Sequence, residues 1–290
     1  MRILSAIPLP KLLAVCVASM VVLYLVLSPF DLLLYNLIMF PCPDPRIPNV
    51  DKKLDELRLY NAKVKEVSFR SKNGRLLHGW FVELPNTRKV FLYSHGKGNN
   101  IYGKIHHIPL LLLCGGSVFI YDYQGYGKSE GRITLDGACD DATAAYDYLV
   151  NQEHRTGKDI IGFGESFGCG VTGQLSIRRK LAAVILQSGF SSLLRAGRDN
   201  LFWLRWYPES AFPYCLKMDN AAIFGKPHSP LLIVHGKKDR ILPFANAEDL
   251  YSTAVEPKRF YVVSDGGHCC FGTTSQFVQA VKSFLVDNQI

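Results

Sequence analysis

Gly164-Glu165-Ser166-Phe167-Gly168 follows directly on the apolar run Ile160-Ile161-Gly162-Phe163, and small residues continue behind it at Gly170 and Gly173. The apolar run reads as a buried strand and the stretch behind the pentapeptide as a helix. A strand that passes straight into a helix through Gly-x-Ser-x-Gly makes a very sharp turn. The serine backbone is strained there, and flanking residues larger than glycine would clash. The serine hydroxyl is left standing at the end of the sheet, above a helix N-terminus. Ser166 is therefore a candidate nucleophile, and a nucleophilic serine needs a base and an acid.

A second stretch, Gly127-Lys128-Ser129-Glu130-Gly131, fits the same pattern. Its preceding strand, Ser117-Val118-Phe119-Ile120-Tyr121, ends well before Ser129, and Arg132-Ile133-Thr134 does not start a helix at once. Ser129 lacks the strand–turn–helix context and reads as a loop residue. A third interpretation takes Gly162, Gly164 and Gly168 as a dinucleotide-binding fingerprint. That fingerprint needs an acidic residue about 20 positions on for the ribose. The chain has Arg178-Arg179-Lys180 there instead.

Downstream, Leu231-Leu232-Ile233-Val234-His235-Gly236 reads as a buried parallel strand, with Asp239 in the loop that follows. Lys258-Arg259-Phe260-Tyr261-Val262-Val263 is the next strand, and its exit loop carries Gly266-Gly267-His268. Both loops leave the sheet at the edge where Ser166 emerges, the edge at which open α/β sheets bind ligands. Ser166, Asp239 and His268 stand in the order serine, acid, histidine. Asp265 is a rival acid, but it is only three residues from His268. His235 ends its strand and supports the acid loop, whereas His106 and His107 read as surface or packing residues of a helix. The turn Ser94-His95-Gly96-Lys97 follows a further apolar strand. It offers the backbone N–H of Lys97 as one oxyanion donor, with that of Phe167 as the second.

Several segments together resemble the α/β-hydrolase superfamily: Ser94-His95-Gly96, the run Tyr121-Asp122-Tyr123-Gln124-Gly125-Tyr126-Gly127-Lys128-Ser129-Glu130-Gly131, Gly164 to Gly168, the acid loop and Gly267-His268. Within it they resemble the membrane-anchored group that includes the BEM46-like proteins and the α/β-hydrolase domain-containing proteins 13 and 17. The resemblance spans roughly residues 64–286. It implies a mostly parallel eight-stranded sheet with helices on both faces and a small cap. It also implies a serine hydrolase of esters, thioesters or amides, working without a cofactor or metal. The tyrosine-rich run points to this group and makes Ser129 structural. Two departures stand out. Lys97-Gly98 follows His-Gly where the group often has Asn-Ala or Asn-Gly. Residues 1–30 carry Cys16 alone, without the cysteine-rich N-terminus of the domain-17 proteins.

A chain of 290 residues accommodates one large α/β domain and an appendage. Strand–helix alternation after residue 64 suits a doubly wound sheet. Residues 64–70 and 76–84 read as opening antiparallel strands, 134–150 as an amphipathic helix and 273–287 as the closing one. The formal charge of +8 is spread along the chain, with no compact basic patch interleaved with aromatics, which argues against a nucleic-acid partner. Eight cysteines are scattered without metal-ligand spacing. No Asn-x-Ser/Thr acceptor occurs, which speaks against a glycosylated lumenal protein.

The N-terminus differs in kind. Residues 12–30 carry no charge, enough for one transmembrane helix. Arg2 and Lys11 precede the run, Asp31 follows it, and the next basic residue is Arg46. The positive-inside rule puts the N-terminus in the cytoplasm and the enzyme on the other side of a membrane. Residues 1–45 are thus expected to form the anchor, with residues 32–40 at the interface, and 46–290 the catalytic domain. Between two core strands, residues 194–229 form an insertion expected to cap the site. Its Trp203, Trp206 and Phe212 are candidates for lining an acyl pocket, alongside Phe202, Tyr207, Pro208, Pro213 and Tyr214. The expected substrate is a small molecule or a lipid-like acyl compound. A peptidase of the same fold, or a membrane-tethered binding protein without catalysis, would carry the same motifs.

Overall fold

The computed structural model describes residues 9–26, 49–212 and 218–290. Eight strands form one sheet: β1 Lys63–Arg70, β2 Leu76–Glu83, β3 Val90–Ser94, β4 Ser117–Tyr121, β5 Ile160–Glu165, β6 Ala183–Gln187, β7 Leu231–Gly236 and β8 Lys258–Val263. Their spatial order is β1-β2-β4-β3-β5-β6-β7-β8. β2 runs antiparallel to both of its neighbours, and every other pairing is parallel.

The central strands read as unbroken apolar runs because helices cover both faces. Side chains alternate across a strand, so residue parity decides which core each one enters. Val90, Leu92, Val184, Leu186, Leu231 and Ile233 face one core, which the helices Leu135–Asn151, Phe167–Arg178 and Ala245–Thr253 close. Phe91, Tyr93, Ile161, Phe163, Leu232 and Val234 face the other, beneath Ile108–Leu113 and Thr274–Asp287. The two long expected helices fall within a residue of their limits. Thr134 and Thr273 cap them by accepting from the N–H groups of Gly137 and Gln276.

After β6 the chain makes the helix Leu193–Asn200, the 3-10 turns Phe202–Trp206 and Glu209–Ala211, and the short helix Asn220–Phe224. Asp219 caps that short helix, and the Asn220 amide donates to the Phe190 carbonyl at 3.0 Å, so both side chains serve the fold. Pro213 and Tyr214 lie outside the described residues.

The N-terminal helix spans Leu9–Val26, and its described side chains, residues 10–24, are all exposed. It meets the cap at Tyr207: Tyr24 stacks on Tyr207 with ring centres 4.3 Å apart, and the Tyr207 hydroxyl donates to the Tyr24 carbonyl. Among the described residues no helix is long and apolar enough to cross a membrane. The expected span at 12–30 runs past this helix. Its last residues, the interfacial stretch at 32–40 and the boundary at 45/46 lie outside the described residues.

Candidate active site

Ser166 sits between the end of β5 and the helix Phe167–Arg178 with φ at +53°, a left-handed value that costs a non-glycine residue about 1–3 kcal/mol. The surroundings leave no alternative. A Cβ on Gly168 would stand 1.9 Å from the Ser94 carbonyl oxygen, and one on Gly164 would stand 2.6 Å from that of Gly168. The helix therefore packs directly against the ends of β3 and β5, and the serine must turn outward.

The structure brings the other two candidates to this hydroxyl. His268 Nε2 lies 3.0 Å from Ser166 Oγ, and His268 Nδ1 lies 2.8 Å from Asp239 Oδ2. An ionised carboxylate only accepts, so Nδ1 carries the proton and the serine hydroxyl donates to Nε2. Asp239 Oδ1 accepts from the N–H groups of Ile241 and Leu242, each at 2.9 Å. Burial alone would raise the Asp239 carboxyl. The hydrogen bond from His268 and those backbone donors outweigh it and hold the group below the usual carboxylate range. His235 braces the acid loop by donating from Nε2 to the Leu242 carbonyl at 2.9 Å, and burial lowers its own pKa.

Backbone N–H groups help to hold the base loop. The Lys238 N–H donates to Gly266 O at 2.8 Å, joining it to the acid loop. The Cys269 N–H donates to Ser188 Oγ at 3.0 Å, joining it to the end of β6. Asp265 is exposed and pairs with Lys238 at 2.7 Å, away from His268. Ser129 is buried; it accepts from the His78 N–H at 2.9 Å and donates to the Asp122 carbonyl at 2.7 Å. The tyrosine-rich run steadies the turn that carries Lys97. Tyr123 donates to His95 O at 2.9 Å and Tyr126 to Lys97 O at 2.8 Å.

Ser166, Phe167 and Lys97 line one end of a cavity of about 280 Å³. Its walls are Phe190, Leu193, Ala196, Leu201, Ile241 and Leu242. Hollows of about 600, 680 and 540 Å³ lie elsewhere, one beside the helix Leu135–Asn151, one outside β8 and one at the C-terminal end of the helix Phe167–Arg178. They are larger, but none of them includes Ser166. Position beside the hydroxyl outranks volume in choosing the site.

Comparison with known proteins identifies the family. Residues 85–223 match the family described as serine aminopeptidase, S33, a stretch that holds Ser166 and ends before Asp239. The uncharacterized protein YfhR of Escherichia coli O157:H7 is 30% identical over 70% of this chain and 73% of its own length. The alpha/beta hydrolase domain-containing protein 17C of Xenopus laevis is 30% identical over 77% of this chain and 70% of its own. The chain is an α/β-hydrolase of the domain-17-like group. The solved esterase Pf2001 of Pyrococcus furiosus superposes on this α/β-hydrolase with a TM-score of 0.67 at 20% identity, covering 84% of this chain and 97% of that one.

The aromatic residues expected to line the pocket stand elsewhere in this α/β-hydrolase. Trp206 is exposed, with 65% of its surface open, and Phe212 is buried beneath the cap against Tyr207 and the Arg198 guanidinium. Trp203 packs partly into the core. None of the three lines the cavity beside Ser166. The walls come instead from the helix Leu193–Asn200 and from Ile241 and Leu242, behind the acid. Leu193 and Ala196 are three apart and share a helix face, which was the available sequence signal.

Proposed function

We propose that this chain is a serine hydrolase that cleaves an ester, thioester or amide bond of a lipid-like or acylated substrate. The observation that carries this reading is the relay Ser166–His268–Asp239, with contacts of 3.0 and 2.8 Å, opening onto an apolar cavity. His268 takes the serine proton as Oγ attacks the carbonyl carbon, and Asp239 stabilises the imidazolium. The backbone N–H groups of Phe167 and Lys97 receive the developing oxyanion. His268 then protonates the leaving group, an acyl-enzyme remains, and water deacylates it by the same relay. The apolar walls suit an acyl chain.

The family description raises a peptidase as the second reading. An aminopeptidase must hold a protonated α-amine, which calls for a carboxylate near the scissile bond. The residues lining the cavity include no acid, and their one charged side chain is Lys97. That favours the acyl substrate.

The membrane belongs to the same proposal. The helix Leu9–Val26 exposes apolar side chains on all sides, as a helix in lipid does, and touches the cap at Tyr207. In this reading the chain crosses the membrane once with its N-terminus cytoplasmic, and the catalytic domain lies on the other side. Fluorophosphonate labelling tests the hydrolase. The wild-type chain should be labelled and Ser166→Ala should not. An unlabelled wild type would instead favour a binding protein of this fold.

A further inference from the structure

Glu165 stands beside the candidate nucleophile, and parity sends its side chain the other way. Ile161 and Phe163 of β5 face the second core, and Glu165 continues that series. Its carboxylate is buried on the sheet face covered by residues 101–113, where a charge survives only if fully partnered. The partners are all present. Lys104 Nζ and the Tyr93 hydroxyl make short contacts with it. His107 Nδ1 lies 3.1 Å away and Cys269 Sγ 3.3 Å away. Burial alone would raise this carboxyl, but His107 and Lys104 outweigh it and hold it far below the usual range.

These four donors come from three segments, since Lys104 and His107 share the stretch 101–113, and the placement of the other two matters most. Cys269 adjoins His268, the candidate base. Tyr93 is the fourth residue before Lys97, on the strand that feeds the oxyanion turn. That turn also packs on the carboxylate, since a Cβ on Gly96 would stand 3.2 Å from Glu165 Oε1 and 3.3 Å from Ser166 Cβ. One anion thus holds three segments together, those carrying the nucleophile, the base and an oxyanion donor.

We propose that Glu165 is a positioning residue whose carboxylate, from the face of the sheet opposite the acyl cavity, sets the spacing of Ser166, His268 and the Lys97 turn. This rests on the serine-hydrolase reading. A carboxylate is suited to the task because its two oxygens accept several donors at once, more than a neutral amide can. An ion pair serving only the fold would need Lys104 or His107, and would have no reason to engage the residue next to His268.

The test uses the full chain and follows fluorophosphonate labelling rate, melting temperature, and kcat and KM on a short soluble ester. Glu165→Gln keeps the size and removes the charge. It is expected to lower the labelling rate and kcat together by roughly 10- to 100-fold with KM almost unchanged, because a misplacement of about 1 Å is enough for such losses. This variant leaves Lys104 facing an uncharged amide. Glu165→Gln with Lys104→Met is therefore measured beside it, keeps the site neutral, and should show the same loss. Cys269→Ala cuts only the tie to the base loop and should slow labelling by about threefold, on the order of one weak hydrogen bond. Cys269→Ser, which keeps a donor, should restore the rate. The proposal is overturned if Cys269→Ala labels at the wild-type rate, or if a folded Glu165 variant does. It is equally overturned if the loss lies wholly in KM. An unlabelled wild-type chain would remove the hydrolase reading itself, which is a different result.

Discussion

Replacing Ser166 by alanine removes one oxygen from a relay whose other members stay hydrogen-bonded to each other. Ser166→Ala and His268→Ala should each lower kcat by on the order of 10³-fold or more while the melting temperature stays close to wild type. Asp239→Asn keeps the shape but supplies a donor where His268 already donates. The imidazole then turns to the wrong tautomer, and a loss near 10⁴-fold is expected. The same carboxylate links stability to pH. Its folded pKa lies below its unfolded value, so its contribution is complete above the unfolded value, about 3.9, and is lost as pH falls through the folded one. Thermal melts should show the gap between wild type and Asp239→Asn closing as pH drops below about 4. Ser129→Ala should behave oppositely to Ser166→Ala. Turnover persists, while stability falls by about 1–3 kcal/mol in denaturant titrations, because a buried N–H and a carbonyl lose their partner.

At the scale of elements, the sequence was clearest where one residue type had one use. The strand before Ser166, the acid and base loops, and the two long helices were legible because apolar runs and capping threonines mark them. The pocket was not. Periodicity reports which face of an element is apolar and is silent about which neighbour covers it. The aromatics at 202–212 were conspicuous, yet Phe212 anchors the cap internally and Trp206 faces outward. The quieter Leu193, Ala196 and Ile241 line the cavity. Glu165 was passed over for a similar reason. It is the second residue of Gly-x-Ser-x-Gly, a position the pattern leaves unspecified, and only pairing β5 against β3 reveals Tyr93 beside it. A direct test of the cavity is Ala196→Phe. Filling a wall of a space of about 280 Å³ should shift preference toward short acyl chains. The ratio of kcat/KM for an octanoyl ester to that for an acetyl ester should drop by about tenfold or more, since each buried methylene contributes about 0.8 kcal/mol. An unchanged ratio would place the acyl chain elsewhere.

At the scale of the whole molecule, strand order was the least legible feature from residues alone. β4 lies between β2 and β3 although it follows both in the chain, a crossover that local patterns do not encode. The membrane proposal also belongs to this scale. Removing residues 1–48 should release a soluble protein whose kcat/KM on a water-soluble ester is within about threefold of the full chain, because the helix supplies local concentration rather than chemistry. Activity on acyl substrates embedded in vesicles should fall far more. Equal losses on both substrates would mean that the contact of Tyr24 with Tyr207 supports the cap itself.

All three members of the relay are fastened to the sheet. Ser166 donates its N–H to Gln187 at the end of β6, the base loop rests on Ser188, and the acid loop is tied to Val263 at the end of β8 by the Lys237 N–H at 3.0 Å. The helix Leu193–Asn200 contributes walls to the cavity, and it ties to the acid loop through Asn200 Nδ2, which donates to the Ile241 carbonyl at 2.9 Å, while none of its described side chains bonds Ser166, Asp239 or His268 themselves. The machine and its receptacle are therefore separable parts, like a chuck and its jaws. Drift in residues 193–212 can change what is gripped without detuning what does the cutting. Proteins with this sheet can diverge in diet while their reactivity toward a generic acylating probe stays constant, and for such a family shared labelling would be poor evidence of a shared substrate.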